Sequence, residues 1–127
     1  MNPLAEKISD SELAVMQVLW AAEGELSLTE LRRRVQEHTP WESTTVKTLV
    51  QRLTAKGVLR QEKREVYYYS PLISEEEYNA YANASFIKRV YHGSARNLVA
   101  ALLQSSELSE KDVTELRALF RVEGSDE

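Results

Sequence analysis

Residues 44–51 read TTVKTLVQ, and the side chains there with useful chemistry are Thr44, Lys47, Thr48 and Gln51. Hydroxyls bond base edges or phosphates, a glutamine amide pairs bidentately with adenine, and threonine or Ala55 methyls meet a thymine methyl. A lysine neutralises phosphate. At about 100° per residue these five side chains share one helical face, while Val46, Leu49, Val50 and Leu53 recur on the other at core spacing. The polar face carries no acidic residue, where an ordinary solvated face would carry Glu/Lys pairs. Thr45 and Arg52 flank it. The pattern is that of a helix that enters a DNA groove.

The neighbouring segments bear on the same chemistry. Gly57 stops the helix, and Val58–Lys63 and Val66–Ser70 read as a β-hairpin joined at Arg64-Glu65, although its turn lacks the usual Gly or Asn. Arg60, Lys63 and Arg64 make 60–66 a basic wing suited to the flanking phosphate backbone, with a merely soluble turn as the bland alternative. Arg33, with Thr29 and Arg34, is a secondary candidate for phosphate, since a solvated helix face explains it equally well. Trp41 reads as a packing anchor whose indole N–H is also placed among the candidate DNA contacts. For Tyr67, Tyr68 and Tyr69, packing on a core is favoured over base stacking.

Total charge at first argues the other way. The 127 residues carry −4, yet residues 29–65 hold nine basic and five acidic side chains, a local +4 against −8 elsewhere. Salt screens beyond about 8–10 Å, so local sign decides what a patch binds. The chain has no cysteine, which excludes disulfides and thiolate metal sites. No apolar run reaches the roughly 20 residues of a membrane helix, and no signal-peptide pattern is present, so the expected location is cytoplasmic with no membrane partner. Neither a phosphate-binding glycine loop nor metal-ligand spacing is legible; His38 and His92 are isolated. No enzyme activity, metal or cofactor is expected.

Four segments share one helix-start signature: Ser9 before Glu12, Ser27 before Glu30, Ser74 before Glu77 and Ser109 before Asp112. Each serine caps an orphan N–H and each acid suits the helix dipole. The expected helices are 10–23, 28–38, 44–56 (capped by Ser43 or Glu42), 74–92, 94–104 and 109–122, with a frayed 123–127 tail. The fold class is mainly α with a small β-hairpin. Three helices and the hairpin occupy 1–72, and three further helices occupy 73–127.

Several stretches resemble the penicillinase-repressor family, the BlaI/MecI/CopY group. ISDSELAVMQVLW is similar to that family's opening, TTVKTLVQRLTAKGVL to its recognition helix and following strand, and YYYSPLISEEEY, GSARNLVAALL and LSEKDVTELRALF to its hairpin exit and C-terminal helices. The resemblance covers about Ile8 to Phe120. It implies a winged helix-turn-helix domain over 1–72 and a helical dimerisation domain over 73–127. It further implies a homodimer on a palindromic double-stranded operator, often with TACA and TGTA half-sites, and repression of transcription. Lys47 and Thr48 fall on matching positions of the recognition helix; Thr44 and Gln51 fall where the family varies. Lacking cysteine, the chain departs from the copper-responsive branch. The β-lactam-responsive branch is cut at an Asn-Phe bond, and the matching position here is Ala101-Leu102. That leaves Ala101-Leu102 a candidate proteolytic site and a sensor protease a candidate partner, but argues against β-lactam control.

Dimerisation has its own physical case. One helix reads only a few base pairs, so specificity normally needs two half-sites and a symmetric protein. Leu98, Leu102, Val113, Leu116, Leu119 and Phe120 supply apolar stripes on helices too short for a separate monomeric core. The rival readings are a winged helix that docks protein, and a DNA-binding activator or ligand sensor.

Overall fold

The computed structural model describes residues 1–124. A 3-10 turn (Ala5–Lys7) precedes α1 (Asp10–Ala22), β1 (Leu26–Ser27), α2 (Leu28–His38) and α3 (Ser43–Ala55). Strands β2 (Leu59–Lys63) and β3 (Tyr67–Pro71) follow, then α4 (Glu75–Val90), α5 (Ala95–Gln104) and α6 (Glu110–Gly124). The fold is mainly α, and its N-terminal part is a winged helix: three helices, then the hairpin. Of the tail expected to fray, residues 123–124 continue α6, and residues 125–127 lie outside the described residues.

Local hydrogen bonding explains where the helices start. All four expected serines accept from the N–H three residues on: Glu12, Glu30, Glu77 and Asp112, at 3.0–3.2 Å. At Ser9, Ser74 and Ser109 the acidic side chain reaches back to the serine N–H, closing a capping box. Ser27 lacks the return bond because Glu30 has turned to Arg33 and Arg34.

The sheet has one strand more than the hairpin alone provides. Its order is β1-β3-β2, all antiparallel, with Leu26 opposite Tyr69 and Ser27 opposite Tyr68 on one side of β3. On the other side the register runs from Leu59–Pro71 to Lys63–Tyr67. β3 is thereby a central strand.

The chain forms two compact units, Met1–Asn83 and Ala84–Glu127. In the first, Met16, Leu19, Leu31, Val35, Val46, Val50, Leu53 and Ile73 are fully buried around α1. The division falls within α4, eleven residues beyond the 72/73 boundary expected from sequence, because the first turns of α4 belong to this core. Tyr78 and Tyr81 pack on it, Tyr78 lies 5.6 Å from the Trp20 ring, and the Trp20 indole donates to the Ile73 carbonyl at 2.9 Å. In the second unit the end of α4, α5 and α6 bury nothing fully: among the described residues every buried side chain lies between Ala5 and Ile73.

Candidate nucleic-acid interface

The α3 stripe settles which side of the helix faces out. Val46, Val50 and Leu53 are wholly buried and Leu49 nearly so, which leaves Thr44, Thr45, Lys47, Thr48, Gln51 and Arg52 exposed together. The Thr48 hydroxyl donates to the Thr44 carbonyl at 2.9 Å. Its donor is thus used within the helix, and what it offers outward is an acceptor lone pair and a methyl group. Glu42 is the N-cap of α3 and makes no side-chain cap bond; the Ser43 hydroxyl instead accepts from the Gln36 amide at 3.3 Å.

The α2–α3 turn is held by its own polar groups. Gln36 also donates to the Trp41 carbonyl at 3.2 Å, while the Thr39 hydroxyl donates to the Val35 carbonyl at 3.1 Å. Trp41 is half-buried against the core, in the anchoring role read from sequence.

At the C-terminal end of α3 the chain closes a Schellman motif. The Gly57 N–H donates to the Thr54 carbonyl (3.1 Å) and the Val58 N–H to the Leu53 carbonyl (3.0 Å), with Gly57 at φ 80°. This turn aims β2 back along α3 and so sets the hairpin beside the helix. A crevice of about 240 Å³ lies between them, lined by Leu28, Lys47, Val50, Gln51, Gln61, Tyr67 and Tyr69.

The three tyrosines divide as strand alternation requires. Tyr69 is buried, its hydroxyl accepting from the Gln61 amide at 2.8 Å. Tyr67, two residues earlier on the same face, is exposed at the crevice mouth with Lys63 Nζ 6.0 Å from its ring. Tyr68 points to the opposite face, beneath the Arg64 guanidinium at 4.6 Å. The packing role therefore holds for Tyr69, whereas Tyr67 lies on the outer surface beside Gln51. Strand alternation over 67–69 was the signal that could have separated them.

The candidate cations differ in how free they are. Among the described residues, Lys47, Arg52 and Lys63 are exposed and have no carboxylate within ion-pair distance. Arg33 is bound to both Glu30 and Glu37. Hydrogen bonds from Arg33 and Arg34 hold the Glu30 carboxyl down to about 2, so that pairing persists across ordinary pH. Arg64 lies at the wing tip, bonded to Glu25 Oε1 at 2.6 Å and Glu62 Oε2 at 3.1 Å. The structure thus brings Thr44, Thr45, Lys47, Thr48, Gln51, Arg52 and Lys63 together as an open surface and places Arg33 and Arg64 in carboxylate pairs.

One residue pair that supports this surface was not singled out from sequence. Glu12, the acid of the α1 capping box, is only 1% exposed and receives both hydrogen bonds of Lys56 Nζ, at 2.7 and 2.9 Å. Lys56 is the C-cap of α3, and its third proton goes to the Lys7 carbonyl at 2.9 Å. Nothing in helical periodicity marks this contact, which spans 44 residues.

In the second unit, Leu98 and Val113 are half-buried, and Leu102, Leu116, Leu119 and Phe120 are exposed. Ala101 and Leu102 sit inside α5, so the bond between them is held in helical geometry. Among the described residues no group of three or more His, Cys, Asp or Glu is placed to hold a metal, and no helix is long and apolar enough to cross a membrane.

The sequence profile of the penicillinase repressor family matches residues 8–121. The chain belongs to the penicillinase repressor family. Within it, the chain is 32% identical over 111 residues to the penicillinase repressor of Bacillus licheniformis, covering 87% of this chain and 86% of that one. It is 30% identical over 115 residues to the penicillinase repressor of Staphylococcus aureus, covering 90% of each. With the methicillin resistance regulatory protein MecI of Staphylococcus aureus strain N315 it shares 29% over 121 residues, covering 94% of this chain and 98% of that one. The fold of this penicillinase-repressor family member is similar to the solution structure of the DNA-binding domain of the repressor BlaI (TM-score 0.53, 33% identity, 61% of this chain and 94% of that one). It is similar too to the monomeric form of Bacillus licheniformis BlaI in complex with the blaP half-operator (TM-score 0.50, 35% identity, 56% of this chain and 87% of that one).

Proposed function

We propose that this protein is a dimeric transcriptional repressor that binds an inverted-repeat operator, α3 lying in the major groove and the 60–66 wing on the flanking backbone. The observation that carries the reading is the exposed face of α3: hydroxyls, an amide and an unpaired lysine, with no acidic side chain to repel phosphate. A helix presenting Thr44, Lys47, Thr48 and Gln51 together can satisfy base edges and backbone at once. The relative solved in complex with the blaP half-operator supports the same use of the fold. In this reading Lys63 meets phosphate directly. Arg33 and Arg64 contribute only after exchanging carboxylate partners for phosphate.

Dimerisation rests on the second unit. Helices that bury no side chain fully yet present Leu102, Leu116, Leu119 and Phe120 gain stability by meeting a second copy. Two copies then match two half-sites. Ala101-Leu102 is the bond a sensor protease would cut, once α5 had opened locally.

The test is selection of genomic fragments by the purified protein, followed by titration of the enriched duplex. An enriched inverted repeat is expected, with affinity falling roughly a thousandfold between 50 and 200 mM salt if about six phosphates are contacted. Lys47→Ala should weaken all duplexes alike and lower the salt slope by about one, while Gln51→Ala should relax preference at one base position. Recovery of fragments without a shared palindrome would remove the reading.

A further inference from the structure

The apolar contacts of α3 hold it against the core without saying how far along its axis it sits. Val46, Leu49, Val50 and Leu53 are smooth aliphatic side chains, and burial of such area is non-directional. A recognition helix needs more than that: a slip of one residue rise, about 1.5 Å, carries Gln51 or Thr48 out of hydrogen-bonding range of a base edge. Close packing limits such a slip, and a directional contact narrows the register further.

At the start of α3 the Gln36 amide donates to the exposed Ser43 hydroxyl; the directional contact that reaches into the core is the one between Lys56 and Glu12. All three ammonium protons are used, two on the Glu12 carboxylate and one on the Lys7 carbonyl. Glu12 is itself immobile: it is 1% exposed, and its Oε1 also accepts from the Ser9 N–H at 3.0 Å, so it is part of the α1 cap. The C-terminal end of α3 is thereby bolted to the N-terminal end of α1. Lys56 lies five residues from Gln51, about 7.5 Å along the helix, close enough that its placement is transmitted rigidly to the reading face.

We infer that Glu12 and Lys56 are positioning residues for sequence recognition: their half-buried ion pair sets the axial register in which α3 presents Thr44, Thr48 and Gln51 to DNA. The inference rests on the proposed DNA-binding function and adds to it a pair that touches no DNA. An apolar pair of similar volume commonly holds a fold as well as a buried ion pair does, so what the charges contribute here is geometry.

The experiment separates register from stability. The single change Lys56→Met strands a buried carboxylate and lowers stability, so the decisive variant is the double change Glu12→Gln with Lys56→Met. It leaves no unpaired charge and keeps the acceptor for the Ser9 N–H. The probe is the inverted-repeat duplex that the wild-type protein enriches from a random pool, together with the same duplex altered at one half-site base. Wild type should discriminate between the two by about ten- to a hundredfold. The double variant, shown by circular dichroism to be folded well above the assay temperature, should lose most of that ratio while keeping its salt slope. Lys56→Arg, which retains both charge and donors, should restore it. Undiminished discrimination by the folded double variant overturns the inference and leaves the repressor reading intact. Failure of wild type to enrich any repeat overturns both.

Discussion

Among the described residues Glu12 is the one charged side chain inside the core, and its protonation has a readable sign. Burial pushes its carboxyl up, but the hydrogen bonds from Lys56 and the Ser9 N–H outweigh this and hold it below the usual 4.5. A depressed carboxyl contributes stability that is complete above the unfolded value and is lost as pH falls through the folded one. Lys56→Met removes the chief opposing influence and leaves burial dominant, which raises the carboxyl and reverses that sign. The variant should therefore be less stable than wild type at pH 7 by about 2 kcal/mol, a moderate figure because Lys56 is itself partly exposed. The gap should narrow as pH falls, first through the variant's raised carboxyl above 4.5 and then through the depressed one of wild type below it, as thermal melts at pH 7 and pH 3.5 would show. A gap independent of pH would mean that Glu12 is not the group responsible. The open residues of α3 were legible beforehand because helical phase alone determines them. Arg33 could have been read the same way, since Glu30 and Glu37 stand three and four residues from it on one helix, whereas Arg64 meets Glu25 only in the folded geometry.

At the scale of elements, the winged helix depends on how α3 ends. Gly57 at φ 80° closes the Schellman turn that sends β2 back beside the helix, and no neighbouring atom crowds the position of a Cβ there. The penalty for Gly57→Ala is consequently one of backbone conformation alone. It should cost about 1–2 kcal/mol, read as a lower urea midpoint with an unchanged m-value. An unaltered midpoint would place the glycine's role elsewhere. The wing turn without glycine is explained by side chains: Arg64 bonds Glu25 and Glu62 and lies over the Tyr68 ring, and its N–H donates to the Val66 carbonyl at 3.0 Å. Helix boundaries were readable because caps are local, acting over three residues. β1 was not: a two-residue strand carries no periodicity, and Leu26–Ser27 is a strand only because β3 lies alongside it.

On the scale of the whole molecule, the two units differ in what they can do alone. The first has a continuous core and a solved counterpart in the DNA-binding domain of BlaI. The second exposes Leu119 by 62% and Phe120 by 70% and has no fully buried side chain among its described residues. Replacing Leu119 and Phe120 together with glutamate should turn the proposed dimer into a monomer in sedimentation and weaken binding to an inverted repeat far more than to a half-site. A variant that stayed dimeric would move the interface to other residues. The order of the helices and the hairpin and the outward face of α3 were settled by local chemistry, because capping serines, apolar spacing and a glycine stop act between residues near in the chain; the family was legible from the resemblance of whole segments. Tertiary structure alone decided the third strand, the placing of the first turns of α4 with the N-terminal core, the Arg64–Glu25 pair and the Glu12–Lys56 bridge. The bridge joins positions 44 residues apart, and a contact of that kind exists only once the helices between them have packed.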